Sequence, residues 1–111
     1  MKYFSAFYLM PVSELDAWMQ KSVEEREPAE TEFKQKWDAW AASHKDSVLK
    51  TISMGKTKLV TSNGIEDTRN EMMLSSYVQA ESLEAAADIF KDHPHLEMPG
   101  GRIEIVETRE M

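Results

Sequence analysis

The stretch that decides the fold is the N-terminal run Lys2 to Met10, which reads Lys-Tyr-Phe-Ser-Ala-Phe-Tyr-Leu-Met. Successive side chains of a β-strand point to opposite faces of its sheet. One face of this predicted strand carries Tyr3, Phe7 and Leu9, and the other carries Phe4, Ala6, Tyr8 and Met10. Because both faces are apolar, we expect both to be covered, which places the strand in the middle of a sheet.

Composition limits the classes of function. A chain of 111 residues predicts one domain that spans residues 1–111. The net charge of -7 repels phosphate backbones, so no nucleic-acid partner is expected. The absence of cysteine excludes disulfides, zinc thiolate sites and cysteine nucleophiles. Neither a membrane-length apolar run nor a signal-peptide pattern is present, so we expect a cytoplasmic protein without a membrane partner.

Two helices are predicted after the first strand. Pro11 ends that strand, because proline cannot donate a ladder hydrogen bond. Ser13 is the predicted N-cap of a short helix over Glu14 to Ser22. The charged run Glu24 to Glu27 is read as a break, and Pro28 as the first residue of the next helix.

The second, longer helix is predicted from about Ala29 to His44, with an apolar stripe that includes Trp37 and Trp40. Packing of this stripe against a core is the favoured interpretation of the two tryptophans. A ligand-stacking platform is the alternative. His44 is interpreted as a C-terminal helix charge.

The middle of the chain predicts two strands. An extended segment, Lys45 to Gly55, leads to the second strand, Lys56 to Thr61, whose alternating lysines suggest a sheet edge. Asn63-Gly64 predicts a chain reversal, because both residue types accept positive φ. A polar connection, Ile65 to Asn70, then leads to the third strand, Met72 to Ala80.

The C-terminal part predicts a helix and a strand. Ser82 caps the helix, and His93-Pro94 stops it. After a turn at Pro99 to Gly101, the last strand is expected over Arg102 to Arg109. Its apolar Ile103 and Ile105 share one face, which is typical of an edge strand.

The predicted order of elements is βαββαβ, an α+β fold. Right-handed crossovers turn this order into a ferredoxin-like four-stranded antiparallel sheet with both helices on one face. The first and third strands would be central. The other face would expose an apolar patch, so we expect a second copy of the chain to cover it. The expected partner is therefore the chain itself, in a homodimer formed through the open sheet face.

Several motifs resemble a known family. They are the start Met1 to Phe4, the Asn63-Gly64 hairpin, the run Gln79 to Ala86, and the C-terminal segments His93 to Leu96 and Pro99 to Ile105. Together they resemble the YCII-related family, in particular its DGPF-domain branch. The resemblance implies a ferredoxin-like fold and a dimeric α/β barrel. Most members of the family have no assigned activity, and a few relatives are lyase- or isomerase-like enzymes that act on ring-derived acids.

The sequence departs from the family pattern at two places. Asn63-Gly64-Ile65 stands where the DGPF branch has Asp-Gly-Pro-Phe, so the aspartate is absent there. Other YCII-related proteins carry a histidine near the start of the long helix, as part of a suspected His-Asp pair. The corresponding segment, Glu30 to Lys36, contains no histidine.

His93 and His95 are the candidate catalytic residues. A His-x-His pair can bind a metal or supply a general base near neutral pH. No further ligands at suitable spacing complete a zinc site, so no metal is predicted. The structural alternative is that His93 caps carbonyls at a helix end while His95 packs or hydrogen-bonds near the last strand.

Four further residues are candidates for a ligand pocket. Tyr8 and Tyr77 lie on the predicted central strands, from which their side chains could enter a cleft between sheet and helices. Arg69 and Asn70 could hold a carboxylate, since a guanidinium matches its geometry. Ordinary packing for the tyrosines and a surface ion pair for Arg69 are the alternatives.

Two functional hypotheses follow from the sequence. The first is a small homodimeric domain that binds a small organic molecule, such as an organic acid, in a cleft between sheet and helices, without turnover. The second is a cofactor-free lyase or isomerase that acts on a ring-derived carboxylic acid, with His93 or His95 as acid/base and Arg69 as anchor. No cofactor is predicted, although a haem or flavin role is a third option, because some dimeric α/β barrels bind haem through a histidine.

Overall fold

The computed structural model describes residues 1–111 as an α+β fold with a four-stranded sheet, a separate two-stranded sheet and three α-helices. The elements are β1 (Lys2–Leu9), α1 (Val12–Met19), α2 (Val23–Ser43), β2 (Val48–Ser53), β3 (Thr57–Thr61), β4 (Gly64–Thr68), β5 (Met72–Ala80), α3 (Leu83–Ile89) and β6 (Arg102–Glu107). A 3₁₀ turn over Pro94–Glu97 lies between α3 and β6. None of the helices is both long and apolar enough to cross a membrane.

The main sheet has the strand order β2-β5-β1-β6, and every neighbouring pair is antiparallel. The two strands predicted to be central, β1 and β5, are central, and β6 is an edge strand, as expected. The register sets Phe4 opposite Val78 and Tyr8 opposite Leu74. On the other side of β1, Tyr8 lies opposite Ile103.

One face of this sheet packs against the helices. The buried core on that face consists of Phe4, Ala6, Tyr8, Val78 and Ala80 from the strands with Trp40, Ala86 and Phe90 from the helical segments. Because α2 supplies Trp40 and α3 supplies Ala86 to one cluster, both helices lie on the same side of the sheet. No residue of α1 is buried, and Trp40 is the one buried residue of α2.

The opposite face of the main sheet, called the open face below, is left uncovered by the chain. It presents Tyr3 and Phe7 from β1, Tyr77 from β5, Ile52 from β2 and Val106 from β6. Tyr3, Ile52, Tyr77 and Val106 are each between 43% and 48% exposed. The rings of Tyr3 and Tyr77 stack with their centroids 5.3 Å apart.

A strand, β3, lies where the second strand was predicted, but its expected place in the main sheet is wrong. The edge strand of the main sheet is Val48–Ser53, which was expected to be only an extended approach. The lysine-rich segment 56–61 instead contains β3, which pairs with β4 in a separate hairpin, so the connection expected over 65–70 is largely a strand. A cross-strand ion pair between Lys58 and Asp67 explains how such polar strands pair. At the turn Gly64 alone has positive φ, and Asn63 does not.

The predicted helix boundaries also need correction. The long helix α2 begins at Val23, so residues 24–27 form its first turns and are not a break. The Ser22 hydroxyl accepts a hydrogen bond from the Glu25 backbone N–H at 3.2 Å, an N-cap that places Pro28 in the second turn. The short helix α1 begins at Val12 after Pro11, and Ser13 does not cap it.

Candidate functional site

The candidate site is built around a buried group of rings, which we call the imidazole cluster. It consists of Tyr8, Trp37, Trp40, Phe90, His93 and His95. The imidazole of His93 is its centre, with ring centroids at 4.3 Å from Trp40, 4.4 Å from Trp37 and 5.1 Å from Tyr8. Three parts of the chain therefore meet at His93: the apolar helix-facing side of β1, the aromatic stripe of α2 and the segment after α3.

The His93–His95 segment is held by its own hydrogen bonds. His93 is the N-cap of the 3₁₀ turn, and its Nδ1 accepts a hydrogen bond from the His95 backbone N–H at 2.9 Å. The Nε2–H of His95 donates to the Leu9 carbonyl oxygen at 2.7 Å, which ties the turn to the end of β1. The suggested role of His93 as a cap for helix carbonyls is wrong, because its ring caps the start of the following turn.

Two glycines allow this segment to pack closely. A Cβ atom on Gly101 would lie 2.3 Å from the His95 carbonyl oxygen, a distance at which backbone must move. Gly100 has a φ of 70° and lies against the Pro11 ring, where a Cβ would be 2.7 Å away. The turn signal seen in the sequence therefore also fixes the position of His95.

Burial keeps both imidazoles neutral at pH 7. Desolvation lowers the pKa of His93 to about 4, with smaller contributions from the neighbouring imidazoles of His95 and His44. Desolvation also lowers the pKa of His95, against the opposing effect of its bond to Leu9. Since Nδ1 of His93 accepts a backbone N–H, its proton lies on Nε2. The remaining nitrogen of His93 is thus a hydrogen-bond donor and cannot act as a base.

A chain of hydroxyl groups leads from the cluster toward the edge of the sheet. The Tyr8 hydroxyl lies 2.7 Å from Ser76 Oγ, which lies 2.6 Å from Thr51 Oγ1. Burial raises the pKa of Tyr8, with the hydrogen bonds to Ser76 and Thr51 opposing the shift. Tyr8 is therefore a neutral phenol at pH 7 with its hydroxyl satisfied.

Two polar atoms of the cluster have no hydrogen-bond partner. They are Nε2 of His93 and Nε1 of Trp40, both fully buried. Buried polar atoms are nearly always paired in native proteins, so two unpaired atoms in adjacent rings are unusual.

An open groove with a volume of about 870 Å³, called the helix groove below, adjoins the cluster. Its apolar lining includes Met10, Leu15, Trp18, Phe33, Trp37, Leu74 and Met98. Charged side chains also line it, among them Glu14, Lys21, Lys36 and Glu97. Trp37 belongs to both features, because its half-buried ring lines the groove and contacts His93.

The structure brings together three of the six candidate residues, Tyr8, His93 and His95. Tyr77 lies on the open face, stacked on Tyr3, so it does not enter the cleft between sheet and helices. Arg69 and Asn70 are also elsewhere, at the base of the β3–β4 hairpin.

Arg69 and Asn70 are occupied by local partners. Both terminal nitrogens of Arg69 donate to the Asp16 carboxylate, at 2.9 and 3.1 Å. This pairing lowers the pKa of Asp16 and raises that of Arg69, so both stay charged. Asn70 accepts the Met72 backbone N–H at 2.9 Å and donates to Thr57. Neither residue is a free anchor for a carboxylate.

Sequence reasoning missed several residues of the site. Phe33, Trp18 and Met98 line the groove, and Ser76 partners Tyr8. One signal was available for Ser76, because a serine between Leu74 and Val78 on the apolar side of a central strand implies a buried polar partner. The groove residues come from separate elements, so no local pattern connects them.

His93 and His95 are the candidate ligands for a metal or haem. No group of three or more His, Asp or Glu side chains is arranged to hold a metal ion. Nε2 of His95 is hydrogen-bonded to the Leu9 carbonyl oxygen. Nε2 of His93 carries the single ring proton of the neutral imidazole and is enclosed by aromatic rings. Neither nitrogen therefore fits the role of an axial haem ligand in this arrangement.

No protein-family model and no curated protein matches the chain.

Proposed function

We propose that this chain is a small homodimeric domain that binds a small, largely apolar organic molecule in the helix groove. The observation that carries the proposal is the groove itself. Its volume of about 870 Å³ lies within the range of small-molecule sites, and aromatic and aliphatic side chains line it beside a buried polar cluster. Apolar side chains make up about half of the lining, and charged side chains, among them Glu14, Lys21, Lys36 and Glu97, lie beside them.

We further propose that the fold is ferredoxin-like and that the chain is related to the YCII-related family. The strand order β2-β5-β1-β6 supports this, since β1 and β5 are the central strands in that topology. The β3–β4 hairpin would then be an insertion in the connection between β2 and β5. The resemblance of the His93 to Leu96 segment to the DGPF branch supports the same relationship.

Dimerisation through the open face is the second part of the proposal. Aromatic and aliphatic side chains on that face are close to half exposed in the single chain. An apolar patch of this kind on a flat sheet is typical of an interaction surface. A second copy would present the same surface, so a two-fold arrangement buries both at once.

The geometry favours binding over turnover. A cofactor-free lyase or isomerase needs a general base near neutral pH. His93 has its acceptor nitrogen bonded to backbone and a pKa of about 4, and His95 donates to a carbonyl. The proposed anchor Arg69 is held by Asp16. The cluster thus offers hydrogen-bond donors but no base.

Tryptophan fluorescence tests the binding proposal directly, because the chain has three tryptophans and all three line the groove or the cluster. We expect saturable changes when a panel of ring-containing ketones, alcohols and acids is titrated. Phe33→Ala removes an aromatic wall and should weaken binding roughly fivefold. Leu59→Ala, on the exposed hairpin, is the control and should leave the affinity unchanged.

The absence of any saturable signal at millimolar concentrations would contradict the proposal. An equal loss of affinity in the Leu59→Ala control would contradict the assignment of the groove.

A further inference from the structure

The open face carries opposite charges at its two edges, Lys50 on β2 and Glu104 on β6. Lys50 lies opposite Tyr77, and Glu104 lies opposite Phe7, so both charged residues share the face of these aromatic side chains. Both are exposed. Neither belongs to any of the ion pairs that the chain forms with itself. The apolar surface between them is thus bordered by a cation on one side and an anion on the other.

The two charges are too far apart to pair within one chain. β2 and β6 are the outer strands of the order β2-β5-β1-β6, so three strand spacings of about 4.8 Å each separate them. Arg102, the third charged residue on this face, already pairs with Glu71. An ion-pair partner for Lys50 or Glu104 can therefore come only from another molecule.

We propose that two copies of the chain pack open face to open face about a two-fold axis parallel to the strands. Lys50 of each copy then faces Glu104 of the partner subunit. This inference rests on the homodimer of the proposed function, and it adds the orientation of the two copies and the charged contacts that select it.

The orientation follows from the positions of the charges. Sheets in aligned face-to-face packing keep their strands within about 30° of each other, which allows a two-fold axis either parallel or perpendicular to the strands. The parallel axis lays β2 of one copy over β6 of the other, so opposite charges meet at both edges. The perpendicular axis lays β2 over β2 and β6 over β6, so like charges share each edge, which is unfavourable.

The register of the sheet fits the parallel axis. Lys50 lies in the same row as Tyr77 and, across β1, Val106. Glu104 lies in the next row, two residues from Val106 along β6, an offset of about 7 Å. The long side chains of lysine and glutamate can span this offset between the two sheets. The aromatic side chains of the central strands then meet between the two ion pairs, as an apolar centre with a charged rim.

Charge reversal tests this arrangement, with the Kd of the dimer measured by sedimentation equilibrium. Lys50→Glu and Glu104→Lys should each weaken the dimer about tenfold, because each change turns two attractive contacts into repulsive ones. The double variant with both reversals should return to within about threefold of the wild type. In about 1 M salt, where the Debye length is about 3 Å, the differences between the variants should largely disappear.

Lys91→Glu is the matched control, because it changes the net charge by the same amount just after α3, on the helix side of the sheet. It should leave the Kd of the dimer unchanged. A second measurement mixes Lys50→Glu and Glu104→Lys proteins in equal amounts. Mostly the mixed dimer should form, since every facing pair in it is again of opposite sign.

The other outcomes overturn defined parts. Single variants that associate as tightly as the wild type would refute the facing pairs while leaving the homodimer intact. That result is expected if the axis is perpendicular, or if the charges only discourage pairing at the sheet edges. A double variant as weak as the single variants, or a Lys91→Glu variant as weak as Lys50→Glu, would also refute the facing pairs. A monomeric wild type would refute the homodimer together with this inference.

Discussion

Among single residues, His93 has the chemistry most altered by its surroundings. Its ring is 1% exposed and contacts aromatic rings from α2 and β1. In water an imidazole changes charge near pH 6.5, which is why the sequence suggested an acid/base role. Burial removes that role by lowering the pKa, and the backbone N–H of His95 fixes which nitrogen keeps the proton.

The pKa of His93 predicts how the protein responds to acid. The unfolded chain binds a proton at His93 near pH 6.5, and the folded chain only near pH 4. Between these values the unfolded state holds more protons, so the free energy of unfolding should fall as the pH is lowered from about 6.5 to 4. His95 adds to the same trend, because its pKa is also lowered.

Urea unfolding at several pH values measures this trend. An NMR titration of the folded protein shows whether the His93 ring is the group responsible. The His93 ring resonances should not titrate between pH 8 and pH 5.5. A titration midpoint near 6.5 for His93 would contradict the buried, neutral imidazole.

A second prediction for a single residue concerns the Tyr8 hydroxyl. Tyr8→Phe removes the 2.7 Å hydrogen bond to Ser76 inside the core and should lower the free energy of unfolding by about 1 kcal/mol. Tyr77→Phe is the matched control, since the Tyr77 ring stacks on Tyr3 and its hydroxyl takes no part in the buried Tyr8–Ser76–Thr51 network, and it should cost almost nothing. Chemical denaturation of both variants makes the measurement, and equal costs would contradict the distinct environments of the two tyrosines.

The surroundings of a residue could be predicted from the sequence when its partners lie close to it along the chain. His93 and His95 were identified because they are two residues apart in the sequence. The partner of Arg69 is Asp16, 53 residues away, so the ion pair could be named only as an alternative. The side chain of Tyr77 lies on the open face because it alternates with Ser76 and Val78, which face the helices.

At the scale of elements, strong periodic signals predicted structure well. The strand β5 spans Met72–Ala80 as predicted, and Ser82 caps α3 through the Ala85 N–H. The start of α2 was missed because the acidic run was read as a break. The Ser22-x-x-Glu25 spacing is a capping signal that was present in the sequence.

The strand β3 and the reversal at Asn63-Gly64 were predicted, whereas β4 and its pairing with β3 in a separate sheet were missed for a different reason. Both strands are polar and lie away from the core, so their sequence lacks the alternation that burial produces. Val60 and Ile65 are 69% and 71% exposed. The pairing of the strands with each other, which no single strand's pattern reveals, decides their conformation.

The prediction for the secondary-structure elements concerns the turn after the 3₁₀ segment. Gly101→Ala would place a methyl group 2.3 Å from the His95 carbonyl oxygen, so the segment carrying both histidines must shift. We expect a loss of about 2 kcal/mol or more in the free energy of unfolding, together with altered His95 ring resonances.

Gly55→Ala is the control for this substitution, because nothing lies within 4 Å of its Cβ position and its φ is not positive. It should be neutral or slightly stabilising. Equal losses in the two variants would contradict the close approach at Gly101.

In the whole molecule, the two faces of the main sheet have different roles. The helix-facing side holds the core, the imidazole cluster and, beside them, the groove, all made by one chain. The open face has no covering element of its own. We propose that a second copy covers it, so that ligand binding and assembly use opposite sides of the same strands.

The solution mass at micromolar concentration, measured by sedimentation equilibrium, tests this division most directly. The account predicts twice the chain mass of 12.8 kDa. Val106→Lys on the open face should shift the protein toward monomer, while Val60→Lys on the exposed hairpin should not. A wild-type mass of 12.8 kDa, or equal dissociation of the two variants, would contradict the account.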